Sequence, residues 1–260
     1  MTAVSTYNRL KVPIVGDFQI GKSTLVNYLV RSLVAPMGKK RFATTKEVQN
    51  ISFGDWIDLQ DTPGADDPEP GIVEKTEKAL ARADAIVFVH SGKSPAEHAS
   101  GILSWLSKTP GVPFVFLYNC MDEGVWDPQD ADIGEICKDI ENELLDPNGY
   151  LSRCIPIHGR FVWPVNILWG VFGIGLVKDS NVILDIRRVA KEDLGLDVDS
   201  MKDSVFMETM WDRSRIEPVR DLIENLPLEM LRHAASNPQQ EIDRIVDRFV
   251  AELKQRWSAT

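Results

Sequence analysis

Gly16-Asp17-Phe18-Gln19-Ile20-Gly21-Lys22-Ser23 fits the pattern G-x-x-x-x-G-K-[ST], in which glycines let consecutive backbone N–H groups turn inward around an anion. Leu10 to Val15, just upstream, reads as a buried strand. Ser23 to Val34, just downstream, reads as a helix whose positive N-terminal end faces the phosphates. The phosphate cradle would run from Asp17 through Phe18, Gln19, Ile20 and Gly21 to Lys22, Ser23 and Thr24. In this pattern the lysine reaches the β and γ phosphates of a nucleotide and the serine hydroxyl ligates Mg²⁺.

Beyond the loop, strand-like and helix-like runs alternate, the pattern of an α/β domain around a largely parallel sheet. Val48 to Phe53 and Trp56 to Gln60 read as antiparallel strands joined at Gly54-Asp55. Val73 to Arg82, Ala96 to Leu106 and Ile133 to Leu145 read as helices, and Ala85 to Val89 and Pro113 to Tyr118 as strands. Pro13 is awkward inside a central strand, because it has no N–H to donate. From about Asp193 the pattern is helical only. Val219, Leu222, Ile223 and Leu226 form one apolar stripe, and Ile242, Ile245, Val246, Phe249, Val250, Leu253 and Trp257 form another. These stripes serve either internal packing or an interaction surface. The division expected is residues 1–192 as the nucleotide domain and 193–260 as a helical region.

Lys and Arg number 29 against 39 Asp and Glu, a net charge of −10. That argues against nonspecific nucleic-acid binding, which needs a positive surface to release counterions. Lys39-Lys40-Arg41 with Lys46 is the local exception. The three cysteines have no C-x-x-C spacing, so neither a disulfide framework nor a zinc site is indicated. The first ten residues lack the apolar core of a signal peptide, and the expected location is the cytoplasm. Phe161 to Val177 carries one strongly polar side chain, Asn166, and is weak support for membrane association. Its length, Pro164, Gly170, Gly173 and Gly175 favour a buried strand and loop.

Two further stretches carry chemistry. Asp61-Thr62-Pro63-Gly64 follows a strand, and Asn119-Cys120-Met121-Asp122 follows another. With the phosphate loop in front, this order resembles the guanine-nucleotide-binding proteins of the translation-factor-related class, the Era-like family, over about Leu10 to Arg188. The resemblance implies a G domain: a mostly parallel six-stranded sheet with helices on both faces, followed here by a helical C-terminal region. It implies that Asp61 holds Mg²⁺ through water and that the Gly64 N–H touches the γ phosphate. Thr44-Thr45-Lys46 resembles the second motif, with Thr45 closing over Mg²⁺ and the γ phosphate; a threonine in a polar loop is the plain alternative. Asn119 and Asp122 match the fourth motif, N-K-x-D, whose aspartate accepts from guanine N1 and N2. The fifth motif is ambiguous between Ile155-Pro156-Ile157-His158-Gly159 and Trp163-Pro164-Val165-Asn166-Ile167, so Asn166 is a candidate contact only.

Three positions depart from the family pattern. Cys120 replaces the motif lysine, and Ala65 stands where many relatives have a water-orienting glutamine. Gln19 replaces the asparagine of potassium-stimulated relatives. Asp66, Asp67 and Glu69 follow in a loop that reads as solvated. Gly92-Lys93-Ser94 repeats the triplet but lacks the first glycine, since position 87 is Val87. The expectation is a GTPase that binds GTP and GDP with Mg²⁺ and hydrolyses slowly, using Lys22, Thr45 and Gly64. Switch segments run at about Pro36 to Glu47 and Gly64 to Gly71. The alternative is a nucleotide-binding scaffold with little turnover. A homodimer or protein partner, through the G domain or the C-terminal helices, is left open.

Overall fold

The computed structural model describes residues 9–17, 19–35, 46–64, 71–91, 95–120, 126–236, 238 and 242. Its strands are β1 Leu10–Val15, β2 Gln49–Phe53, β3 Ile57–Asp61, β4 Ile86–His90, β5 Phe114–Asn119 and β6 Val162–Val165. Helices α1 Lys22–Leu29, α2 Ile72–Leu80, α3 Pro95–Lys108 and α4 Ala131–Asp139 alternate with them. After β6 come α5 Ile167–Gly173, α6 Ser180–Glu192, α7 Asp203–Ser214, α8 Glu217–Glu224 and α9 Leu226–Ser236. The six strands form one sheet in the order β2-β3-β1-β4-β5-β6, and only the β2–β3 pair is antiparallel.

The central strands are apolar on both faces, as a sheet covered by helices requires. Val87, Val89, Val115 and Leu117 face one core, with Leu25, Val26 and Leu29 of α1. Ile86, Phe88, Phe114 and Phe116 face the other, with Trp105 and Leu106 of α3 and Ile133 of α4. Pro13 finds its explanation in the alternation of backbone direction along β1. The Lys11 N–H and C=O both bond Asp84, on the β4 side, so Pro13 faces that side too. The β1–β4 ladder starts only at Ile14, so the missing donor falls just before it. Pro164 lies on edge strand β6, where no neighbour needs its N–H.

Several elements differ from the sequence expectation. The first helix stops at Leu29, not Val34, because the buried Asn27 amide turns the chain back. Its Oδ1 accepts from the N–H groups of Val34 and Ala35, and its Nδ2 donates 2.8 Å to the Ala35 carbonyl. The helix expected to Leu145 starts two residues early, where the Asp130 carboxylate caps it, and widens into a π-turn over Ile140–Leu145. Phe161 to Val177 is strand and helix, not strand and loop. Asn166 caps α5, and Trp169, Val171 and Phe172 are buried. No described helix is long and apolar enough to cross a membrane.

Helices run from Ile167 on past residue 193, and those after it join the core directly. Ile216, Val219, Leu222 and Ile223 pack in the same cluster as Val12 and Ile14 of β1. A further cluster joins Trp169 and Phe172 of α5 to Ile186 and Val189 of α6 and to Phe206 and Met210 of α7. The stripe from Ile245 to Trp257 lies outside the described residues.

Gly170 and Gly173 are there for space. A Cβ on Gly170 would lie 2.6 Å from the Ile216 side chain, and one on Gly173 2.4 Å from Trp211 Cβ and 3.0 Å from the Met207 carbonyl. Helix propensity alone would make Gly→Ala stabilising by about 1 kcal/mol. Gly173→Ala is instead expected to destabilise by ~1–3 kcal/mol through overpacking. Urea unfolding checks the sign: a raised midpoint would mean that α5 and α7 can move apart at no cost.

Candidate nucleotide-binding site

Of the expected site residues, those described lie where the parallel strands end. The phosphate loop follows β1, Asp61 ends β3, Asn119 ends β5, and Asn166 follows β6. Parallel strands place these loops at one edge of the sheet, the usual position of a ligand crevice in this architecture.

Gly16 opens the loop at φ 155°, and Gln19 and Gly21 follow in left-handed conformations at φ 60° and 96°. A Cβ on Gly16 would sit 2.1 Å from the Val89 carbonyl oxygen, so the loop can lie against β4 only with glycine there. α1 starts with no capping side chain and no acidic residue in its first turn. The N-terminal end of α1, with its partial positive charge, thus directly follows the loop. The Lys22 side chain is buried, and its Nζ donates to the carbonyls of Gly16 at 3.0 Å and Asp17 at 2.6 Å. The ammonium is thereby held over the loop it shares with the amides.

Ser23 and Asp61, 38 positions apart, meet across the site: Ser23 Oγ donates to Asp61 Oδ2 at 2.7 Å. Asp61 is fully buried at the end of β3. A hydroxyl and a carboxylate at this spacing are hard oxygen donors, the set that suits Mg²⁺. Thr62 secures the turn beyond, its Oγ1 donating to the Ile14 carbonyl at 2.7 Å, and Gly64 is buried after it.

Asn119 and Asn166 both bond protein backbone. Asn119 Nδ2 donates to the Ile20 carbonyl at 2.8 Å, and its Oδ1 accepts from the Ile167 N–H at 3.1 Å. One buried amide thus ties the phosphate loop to the start of α5. Asn166, the candidate guanine contact, has both donors and its acceptor engaged by protein. Its Nδ2 donates to the carbonyls of Cys120 and Trp126, each at 3.0 Å, and its Oδ1 accepts from the Trp169 N–H. Its place is as a strap beneath the fourth motif. Asn27 was missed in the sequence, although an amide on the inner stripe of an apolar helix was a readable sign. Phe18, Thr45 and Asp122 lie outside the described residues, as do Ala65, Asp66, Asp67, Glu69 and Gly92-Lys93-Ser94.

Cys120 occupies the lysine place of the fourth motif and is buried, with its thiol pushed far above the ordinary range by desolvation. Burial likewise raises Cys137, to about 12. Both are neutral, packed thiols rather than nucleophiles. Among the described residues no cluster of His, Cys, Asp and Glu could hold a metal ion by itself, so a cation here would need phosphate or water oxygens to complete its shell.

Residues 11–120 match the family model described as 50S ribosome-binding GTPase. This part of the chain is similar in sequence to the Era-like GTPases. GTPase Era of Leuconostoc citreum is 33% identical over 127 residues, covering 46% of this chain and 42% of that protein. The tRNA modification GTPase MnmE of Lactobacillus delbrueckii subsp. bulgaricus is 30% identical over 145 residues, covering 53% of this chain and 30% of its own length. The chain thus spans less than half of either relative. A solved structure of Era in complex with MgGDPNP and nucleotides 1506–1542 of 16S ribosomal RNA is 21% identical, with TM-score 0.46, covering 70% of this chain and 57% of that one. The expectation against a nucleic-acid partner gains no support from these comparisons.

Gly16→Ala is expected to expel the loop from its seat against Val89 and to abolish nucleotide binding, while the sheet stays folded. Equilibrium binding of a fluorescent GDP analogue, with circular dichroism on the same sample, checks this. Unchanged affinity would mean that the loop does not need the close approach.

Proposed function

We propose that the protein is a guanine-nucleotide switch that binds GTP and GDP with Mg²⁺ and hydrolyses GTP slowly. One observation carries the reading: Ser23 Oγ lies 2.7 Å from Asp61 at the mouth of a loop whose lysine and helix N-terminus are turned inward. In this reading the backbone N–H groups of residues 17–24 and Lys22 hold the phosphates. Ser23 and Asp61, with Thr45, hold Mg²⁺, and the Gly64 N–H meets the γ phosphate. Asp122 accepts from the guanine edge, and Asn119 and Asn166 position the loops rather than touch the base.

Hydrolysis is attack of water on the γ phosphorus with departure of the β–γ bridging oxygen, giving GDP and phosphate. The transition state is loose, and catalysis comes mainly from placing charge around it. Mg²⁺, when bound, supplies positive charge to the phosphate oxygens. Lys22 and the loop amides add fixed donors that need no rearrangement. Ala65 offers no side chain to orient the water, which is the reason for slow intrinsic turnover. An arginine supplied by a partner contributes ~10³–10⁵ in rate in comparable systems.

Residues 36–47 and 64–71 serve as the segments that respond to the γ phosphate. Lys75 at the base of α2 joins their borders, donating to the Lys46 carbonyl and pairing with Glu47 at 2.5 Å. Residues 1–192 form the G domain in this reading, and 193–260 the helical region that braces it. The cytoplasm suits the three buried free cysteines. The apolar run 161–177 is accounted for by core packing and lends no weight to membrane association.

Freshly purified protein, denatured and chromatographed, is expected to release guanine nucleotide, and Lys22→Ala to release none. Single-turnover assays with excess protein and Mg²⁺·GTP are expected to show slow phosphate release. Unaltered occupancy in the lysine variant, or preference for ADP over GDP, would sink the assignment.

A further inference from the structure

The elbow between α7 and α8, residues 211–217, touches both halves of the proposed pocket. On the phosphate side it grips α1, the helix that begins at Lys22. Trp211 Nε1 donates to the Tyr28 hydroxyl at 3.0 Å, and that hydroxyl donates to Glu217. Arg31 pairs with the same Glu217 oxygen at 2.6 Å, and Arg220, one turn into α8, donates to the Leu29 carbonyl at 3.2 Å.

On the base side the elbow holds the chain that follows β5 and β6. Arg213 pairs with Asp127, whose side chain is only 14% exposed. Arg215 Nη1 donates to the Pro128 carbonyl at 3.3 Å, and its guanidinium lies 4.2 Å over the Trp163 ring. The Ser214 carbonyl accepts from the Asn166 N–H at 2.9 Å. Asn166 in turn holds the carbonyls of Cys120 and Trp126, on either side of residues 121–125. The Cys120 thiol donates a long bond of 3.9 Å to the Tyr118 carbonyl.

We propose that residues Trp211, Arg213, Arg215 and Glu217 are positioning residues for nucleotide recognition, clamping the guanine-side loop to the phosphate-loop helix. The inference rests on the guanine-nucleotide reading above. It assigns to the C-terminal helices control of nucleotide residence time: whatever displaces the elbow loosens Asp127 and α1 together. A half-buried ion pair suits this role, since it is directional and costly to break on one side only.

The test uses the full chain with Mg²⁺ and a fluorescent GDP analogue, chased with GDP or with IDP, which lacks the guanine 2-amino group. Arg213→Ala is expected to speed GDP release about ten-fold, the coupling typical of residues that act through a neighbour. It should also lower the preference for GDP over IDP. The charge-reversed pair Asp127→Arg with Arg213→Asp is expected to recover most of the loss, and Asp127→Asn gives the same direction if Arg213→Ala does not fold. Arg187→Ala, which breaks the Arg187–Asp203 pair elsewhere on α6 and α7, serves as control and should leave release unchanged. Unchanged release in Arg213→Ala and Asp127→Asn would overturn the inference, as would equal acceleration by Arg187→Ala. Failure of the wild-type chain to bind any guanine nucleotide would instead remove the nucleotide reading, and this inference with it.

Discussion

Three buried side-chain amides hold the irregular backbone around the pocket, and the arrangement of the site depends on them. Asn27, Asn119 and Asn166 are each at most 1% exposed, and each bonds main-chain groups that no helix or strand ladder reaches. Asn27 seats the chain leaving α1, Asn119 joins the phosphate loop to the start of α5, and Asn166 straps the chain after β5. A buried amide offers two donors and an acceptor in fixed geometry, so one residue can stand in for a missing ladder. Removing one strands several backbone groups at about 1–3 kcal/mol each.

These amides matter because the sheet edge alone supplies only approximate positions. Parallel strands bring the four loops to one side, but a phosphate loop must present its amides within a fraction of an ångström. Close seating of Gly16 on Val89 and the Asn119 bridge to Ile20 convert approximate proximity into fixed geometry. The C-terminal helices extend that frame. Their glycine-mediated contact with α5 and polar grip on α1 make them part of the same packed body.

Much of the nucleotide site was legible because its chemistry is local. A glycine-rich loop between an apolar strand and a helix is one contiguous stretch, and the fold class follows from the alternation around it. The Asp61 turn was legible for the same reason. Residues 161–177 were not, because their glycines serve Ile216 and Trp211, distant partners that no window on the sequence contains. The helix end at Leu29 was misplaced because apolar periodicity continues to Val34, whereas the Asn27 side chain competes with the helix for the backbone. The role of Asn166 stayed open for a related reason: an asparagine after a strand can face a base or cap a helix, and only its surroundings choose.

By itself the sequence determined the alternation of strands and helices through β5, the glycine-rich loop after β1, and the placing of Asp61 and Asn119 at strand ends. These follow from motifs in which the chemistry is carried by neighbours along the chain, or by strand ends that a parallel sheet must align. Only the tertiary structure decided that the C-terminal helices pack into the core beside β1, that the Asn119 and Asn166 amides bond distant backbone, and why Pro13 is tolerated. Each of those depends on which atoms lie across a packed interface, and packing is a property of residues far apart in sequence.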